Sequence, residues 1–107
     1  MKKSGFLIGA GILFLILSSP LVLAGYEYPG KWKVLDKNKN EYNILLDLGG
    51  NAQSTLGKGQ MGAWTLAGEG VRILWTDGTS EIIQRTKEGY IKVSAGDHSV
   101  VPAEKVR

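Results

Sequence analysis

Polar and apolar residues alternate with a period of two along most of this chain after its first two dozen residues, which is the signature of strands with one buried face. The clearest stretch runs from Gly62 to Thr86 (GAWTLAGEGVRILWTDGTSEIIQRT) and reads as three short strands joined by tight turns. Trp64 and Leu66 share a face of the first strand, and Val71, Ile73 and Trp75 share a face of the second. Gly68-Glu69-Gly70 separates them, and Asp77-Gly78 follows, a strong signal for a two-residue type I′ hairpin turn in which both central residues take φ > 0.

The same alternation extends in both directions. Tyr26 to Pro29 reads as an extended lead-in to a strand over Gly30–Leu35, with Trp32 and Val34 inward and Lys31 and Lys33 outward. A polar turn, Asp36 to Asn40, leads to a strand over 41–48 that places Tyr42, Ile44, Leu46 and Leu48 on one face. Gly49-Gly50-Asn51 turns the chain into Ala52–Leu56, where Ser54 is in phase with Ala52 and Leu56 and so points inward. After Lys87-Glu88-Gly89, Tyr90–Ser94 forms a strand with Ile91 and Val93 as its apolar pair. Gly96 to Ser99 turns again, and Val100–Val106, interrupted by Pro102, adds an eighth strand. No segment after Gly25 keeps a helical period, and turns recur at the spacing of a sandwich or barrel. The expected fold is therefore all-β: an antiparallel meander of seven or eight strands, closed into a small up-and-down barrel because closure removes exposed strand edges.

The first residues follow a different pattern. Lys2 and Lys3 precede an uncharged apolar run, Phe6 to Leu17, then Ser18-Ser19-Pro20 and Leu21 to Gly25. This reads as a signal peptide over residues 1–24, with Val22 and Ala24 suited to the positions before a cleavage site. Residues 25–107 are then one exported domain, periplasmic or secreted. The alternative is an uncleaved anchor formed by residues 5–25, which would make the chain a membrane protein.

The leader also changes the charge balance. Lys2 and Lys3 account for two of the 13 basic side chains, which leaves 11 against 10 acidic ones in the remainder. A near-neutral domain has no electrostatic footprint for nucleic acid. A domain this small, with no cysteine, needs an efficient apolar core, and its three Trp and four Tyr meet that need.

Gly30-Lys31-Trp32, opening the first strand after a leader, resembles the Gly-X-Trp signature of lipocalins and related calycin barrels. That resemblance implies a tryptophan, here Trp32, plugging one end of the barrel, and a cavity for a small apolar ligand. The shorter hairpins imply a narrower barrel filled by its own side chains. The domain is also similar in size and architecture to small secreted bacterial inhibitors of lysozyme or metalloproteases.

Chemistry-bearing residues are sparse. Asp97-His98-Ser99 holds the single histidine, but neighbours in extended chain point apart, and a catalytic triad needs convergence. Asp47, Glu69, Asp77 and Glu81 read as turn residues or outward-facing charges. One histidine and scattered carboxylates give no metal site, no cofactor motif appears, and no catalytic residues are assigned. The expected role is a binding module, not an enzyme, for a small apolar ligand or an envelope protein partner. Trp32, Ser54, Trp64 and Trp75 are the candidate ligand-binding residues, and a cavity lined by small or polar residues such as Ala52 and Ser54 would mark a ligand binder. An inhibitor of a secreted or envelope hydrolase, or a structural envelope protein, is the alternative. An inhibitor would show a packed core and a rigid loop at Gly57–Met61 or Gly96–Pro102. Leu45 and Leu74, out of phase with their strands, are candidates for an exposed partner-binding patch.

Overall fold

The computed structural model describes residues 27–106; the leader lies outside them. Eight strands follow in sequence: β1 (Gly30–Leu35), β2 (Glu41–Leu46), β3 (Asn51–Ser54), β4 (Gln60–Ala67), β5 (Gly70–Trp75), β6 (Ser80–Thr86), β7 (Gly89–Ser94) and β8 (Val100–Val106). Every strand pairs antiparallel with its sequence neighbour, and β8 pairs back onto β1 to close the barrel. The closing register sets Lys31 opposite Val106 and Val34 opposite Ala103. The meander and its closure are as the alternation predicts.

Closure forces some strands very close together. A side chain at Gly62 would collide with the backbone of Leu74, and one at Gly70 with the carbonyl oxygen of Ile83, so glycine is required at both positions for steric reasons.

The interior is filled. Trp32, Val34, Ile44, Val71, Ile73 and Ile83 are buried along its length, and Ala52 is buried among them rather than lining a cavity. Side chains of this size fill a narrow eight-stranded barrel.

Several local expectations are corrected. The lead-in is bent at Tyr28 and Pro29, because the Tyr28 ring turns into the barrel end. Leu48 is exposed in a turn. The sheet ends at Leu46, where the Asp47 carboxylate accepts bonds from Asn51 and starts the turn early. Leu66, in phase with Trp64, lies beyond the covered interior and is also exposed. The Asp77-Gly78 turn is a three-residue loop, not type I′: only Gly78 has positive φ, and Trp75 N donates to Thr79 O across it. The two-residue turns are instead Gly68-Glu69, closed by the pairing of Ala67 with Gly70 and with positive φ at the first central position alone, and Lys87-Glu88, closed by the pairing of Thr86 with Gly89. Leu45 and Leu74 are exposed as expected, but β3 and β4 separate their strands, so they form no joint patch.

The largest correction concerns β6 and β7. Glu81 is buried in the barrel rather than facing outward. In β7 it is Lys92, not Ile91 and Val93, that points inward. Lys92 stands opposite the buried Ile83. Val93 faces out and completes an apolar row on the outer wall with Ile82 and Val100.

Candidate functional site

The two barrel ends differ. At one, which we call the closed end, the lead-in folds across the opening. Tyr28 stacks near Trp32, with ring centroids 5.9 Å apart, and Tyr90 packs edge-on against both rings. Trp32 Nε1 donates to Tyr28 O at 2.8 Å, and Tyr28 Oη donates to Glu69 O at 2.7 Å, tying the lead-in to the β4–β5 turn. Glu27 accepts a bond from Tyr90 and pairs with Arg85 at 3.1 Å. Burial, and then the Glu27 carboxylate, push the Tyr90 phenol up to about 12.

The other end is an open mouth ringed by four turns, Asp36–Asn40, Thr55–Gly59, Thr76–Thr79 and Ala95–Ser99. At its base lies a polar cluster built on Glu81. Its Oε1 accepts from Trp75 Nε1 at 2.9 Å. Its Oε2 accepts from Lys92 Nζ at 2.8 Å, Ser94 Oγ at 3.1 Å and Tyr42 Oη at 3.3 Å. Lys92 Nζ also donates to Tyr42 Oη at 2.8 Å and lies 5.1 Å from the Tyr42 ring centroid. The alternation of β2, β5, β6 and β7 aims all of these side chains inward, and the pairing of Glu81 with Ser94 fixes their level.

Lys92 is only 3% exposed, and burial alone would favour losing its proton. The hydrogen bonds from the ammonium to Glu81 and Tyr42 outweigh burial and hold its pKa above the ordinary lysine value. Burial likewise raises the Tyr42 phenol. The ammonium has three donors, of which two meet protein acceptors among the described residues.

Two adjoining recesses open above this cluster. One, of about 370 Å³, is bounded by Leu56, Gln60, Trp75, Asp77, Glu81 and Asp97. The other, of about 250 Å³, reaches Asp36, Tyr42, Lys92 and Ser99. A recess of about 460 Å³ at the closed end, bounded by Glu27, Tyr90, Lys105 and Val106, adjoins the point where the chain enters the barrel. The turns around the mouth are held by their own aspartates. Asp36 Oδ1 accepts from the amides of Asn38 and Asn40, Asp77 Oδ1 from Thr79, and Asp97 Oδ1 from Ser99. Those bonds keep all three carboxyls below the usual carboxylate range. His98 sits in the exposed Asp97–Ser99 turn with left-handed backbone, its neighbours bonded to each other, so the trio does not converge.

The structure divides the four residues singled out in the sequence. Trp32 and Trp64 belong to the closed end, where Trp64 Nε1 donates to Asp47 O at 2.8 Å. Trp75 borders the mouth. Ser54 lies near it, donating to Gln60 Oε1 at 2.8 Å and accepting from Leu56 N. Tyr42, Lys92 and Ser94 were not assigned to a site, and Glu81, weighed among the carboxylates, was read as a turn or outward-facing residue. Their signal was parity: Glu81 is two residues from Ile83, and Lys92 is two residues from both Tyr90 and Ser94. Among the described residues no cluster of three His, Asp or Glu side chains is placed to hold a metal ion.

Comparison with known proteins adds no relative: no family model, curated protein or solved structure matches this chain.

Proposed function

We propose that this chain is an exported binding module whose open end seats a segment of an envelope protein partner. The observation that carries this reading is the Glu81–Lys92–Tyr42 cluster at the base of the mouth. A buried ion pair is often no more stabilising than apolar residues of the same volume. A small domain that keeps one beneath an open recess has it placed for recognition. The cluster suits binding better than acid–base chemistry, because the amine is held protonated and the carboxylate already accepts four donors. The fitting segment has an apolar body to lie on Leu56 and Trp75 and a carbonyl or carboxylate oxygen for the remaining Lys92 donor. The filled interior favours this over a small apolar ligand held inside the barrel.

Photo-crosslinking residues placed at Asn38, Thr79 and Lys87 in the host test the proposal. Discrete protein adducts from Asn38 and Thr79, absent from Lys87 and lost on joint Glu81→Leu and Lys92→Met substitution, are expected. Equal adducts from all positions, or none at the mouth, overturn it. A small-molecule adduct in the native mass spectrum would move the reading to a ligand.

A second reading has its own support. A packed core with turns pinned by Asp36, Asp77 and Asp97 suits an inhibitor of a secreted or envelope hydrolase. Inhibition of a lysozyme or a secreted protease by the purified protein, abolished by changes in the Gly96–Pro102 turn, is its test.

A further inference from the structure

The larger recess at the mouth carries charge of one sign. Its charged side chains are Asp77, Glu81 and Asp97, and among the described residues no basic side chain borders it. Glu81 is neutralised by Lys92 at 2.8 Å, which leaves the two aspartates as the net charge. The rim lysines do not cancel them. Lys37 borders only the adjoining recess and acts on Asp97 at a distance, while Lys39 and Lys58 border neither. Both aspartates hold their turns through one oxygen. Asp77 Oδ1 accepts from Thr79 N at 2.9 Å and Thr79 Oγ1 at 2.6 Å, and Asp97 Oδ1 accepts from Ser99 N at 3.0 Å. The second carboxylate oxygen of each takes no part in these bonds.

Apolar surface lies beside this charge. Leu56 and Trp75 form part of the same wall, and the indole is fixed there by its bond to Glu81. A methylene stem lies along such a wall while its charged head reaches polar surroundings. An independent observation comes from the adjoining recess. The Lys92 side chain is 4% exposed, and one of its three donors meets no acceptor among the described residues. A buried donor without a partner is costly, and a main-chain carbonyl laid across the mouth would satisfy it. Two carboxylates, an apolar strip and an unfilled ammonium donor together fit a ligand with a cation, a stem and a carbonyl oxygen.

We infer that the segment seated at the mouth carries a lysine or arginine, with its stem on Leu56 and Trp75, its cation between Asp77 and Asp97, and a main-chain carbonyl on Lys92. The inference rests on the mouth being a binding site and adds the charge of what it takes.

Isotope-labelled protein expressed from the full chain would be titrated with acetyl-Leu-Lys-Leu-amide and with its norleucine counterpart, which lacks only the amine. The lysine peptide is expected to shift the Trp75 indole and the Thr79 and Ser99 amide resonances, and to bind about tenfold more tightly than the norleucine peptide. Asp77→Asn with Asp97→Asn removes both charges but keeps an Oδ1 acceptor for each turn, and should abolish that preference. Equal affinity for the two peptides, a preference that survives in the double variant, or no shift with the lysine peptide overturns the inference. The comparison of the two peptides on the unchanged protein stands whether or not the variant folds. In the host, the crosslink from Asn38 should be lost on the same double substitution. An adduct that survives it, but is lost with Glu81→Leu and Lys92→Met, overturns the inference and leaves the binding module standing. Absence of any mouth adduct from the otherwise unchanged chain overturns the module reading itself.

Discussion

The two ends of this barrel seal themselves by different chemistry. The closed end uses aromatic area: Tyr28, Trp32 and Tyr90 pack together and leave their few polar atoms bonded to nearby groups. The mouth uses charge: a carboxylate and an ammonium, with a phenol, an indole and a hydroxyl arranged around them. Aromatic packing stabilises wherever it is buried. An ion pair must recover the cost of leaving water, and does so only when every partner is in place. The closed end therefore serves the fold, while the mouth is where specificity can reside.

The sharpest way to separate the ends is to break each. Trp32→Ala should lower stability by about 3–5 kcal/mol, measured by urea unfolding, because it empties the centre of the aromatic plug. Glu81→Ala should cost a similar amount, about 3–5 kcal/mol, by leaving the Lys92 ammonium buried without its counter-charge. The ends part company when the whole group is replaced: Glu81→Leu with Lys92→Met should be neutral or stabilising by about 1–4 kcal/mol. A double variant as unstable as Glu81→Ala would mean that the cluster is part of the structural core, and the contrast between the ends would collapse.

Titration sharpens the same comparison with smaller effects. The Lys92, Tyr42 and Tyr90 pKa values are raised in the folded chain, so what each adds to stability is complete below its unfolded value and lost as pH rises through the folded one. Thermal melts should hold up to about pH 10 and fall beyond it, with the Tyr90 contribution at the closed end lost near 12. On the acid side the sign reverses. Asp36, Asp77 and Asp97 have lowered values, so their contribution is present above the unfolded carboxylate pKa and is lost as pH falls through the folded one. Amide protection factors at Asn38, Asn40, Thr79 and Ser99, taken relative to the intrinsic exchange rate at each pH, should therefore fall in acid while the indole N–H of Trp32 stays protected.

How much of this was legible beforehand follows from what period-two alternation can express. It found the strands, the meander and the inward set Trp32, Val34, Ile44, Ile73 and Trp75, because each is apolar and in phase. It misread Glu81 and Lys92 because it sorts residues by polarity, and two opposite charges that neutralise each other inside a barrel look like two solvent-facing ones. In β7 the apolar residues Ile91 and Val93 made the wrong face look like the inner one, and the register that sets Lys92 opposite Ile83 shows that the phase of Tyr90, Lys92 and Ser94 is the inner one. Leu48 and Leu66 were misplaced for a different reason: parity continues past the point where the barrel stops covering a side chain.

The pairing of the last strand with the first has a consequence for how the molecule comes into being. Seven of the eight ladders join neighbours in sequence and can zip up as the chain emerges, but the ladder from Lys31–Val106 to Val34–Ala103 must wait for β8. Until then β1 and β7 each present an unsatisfied edge, and the slow long-range step comes last. A chain shortened before Val100 would be left with two adhesive borders and no means of covering them. The folding rate of the whole barrel should thus hang on one late encounter between its two extremities.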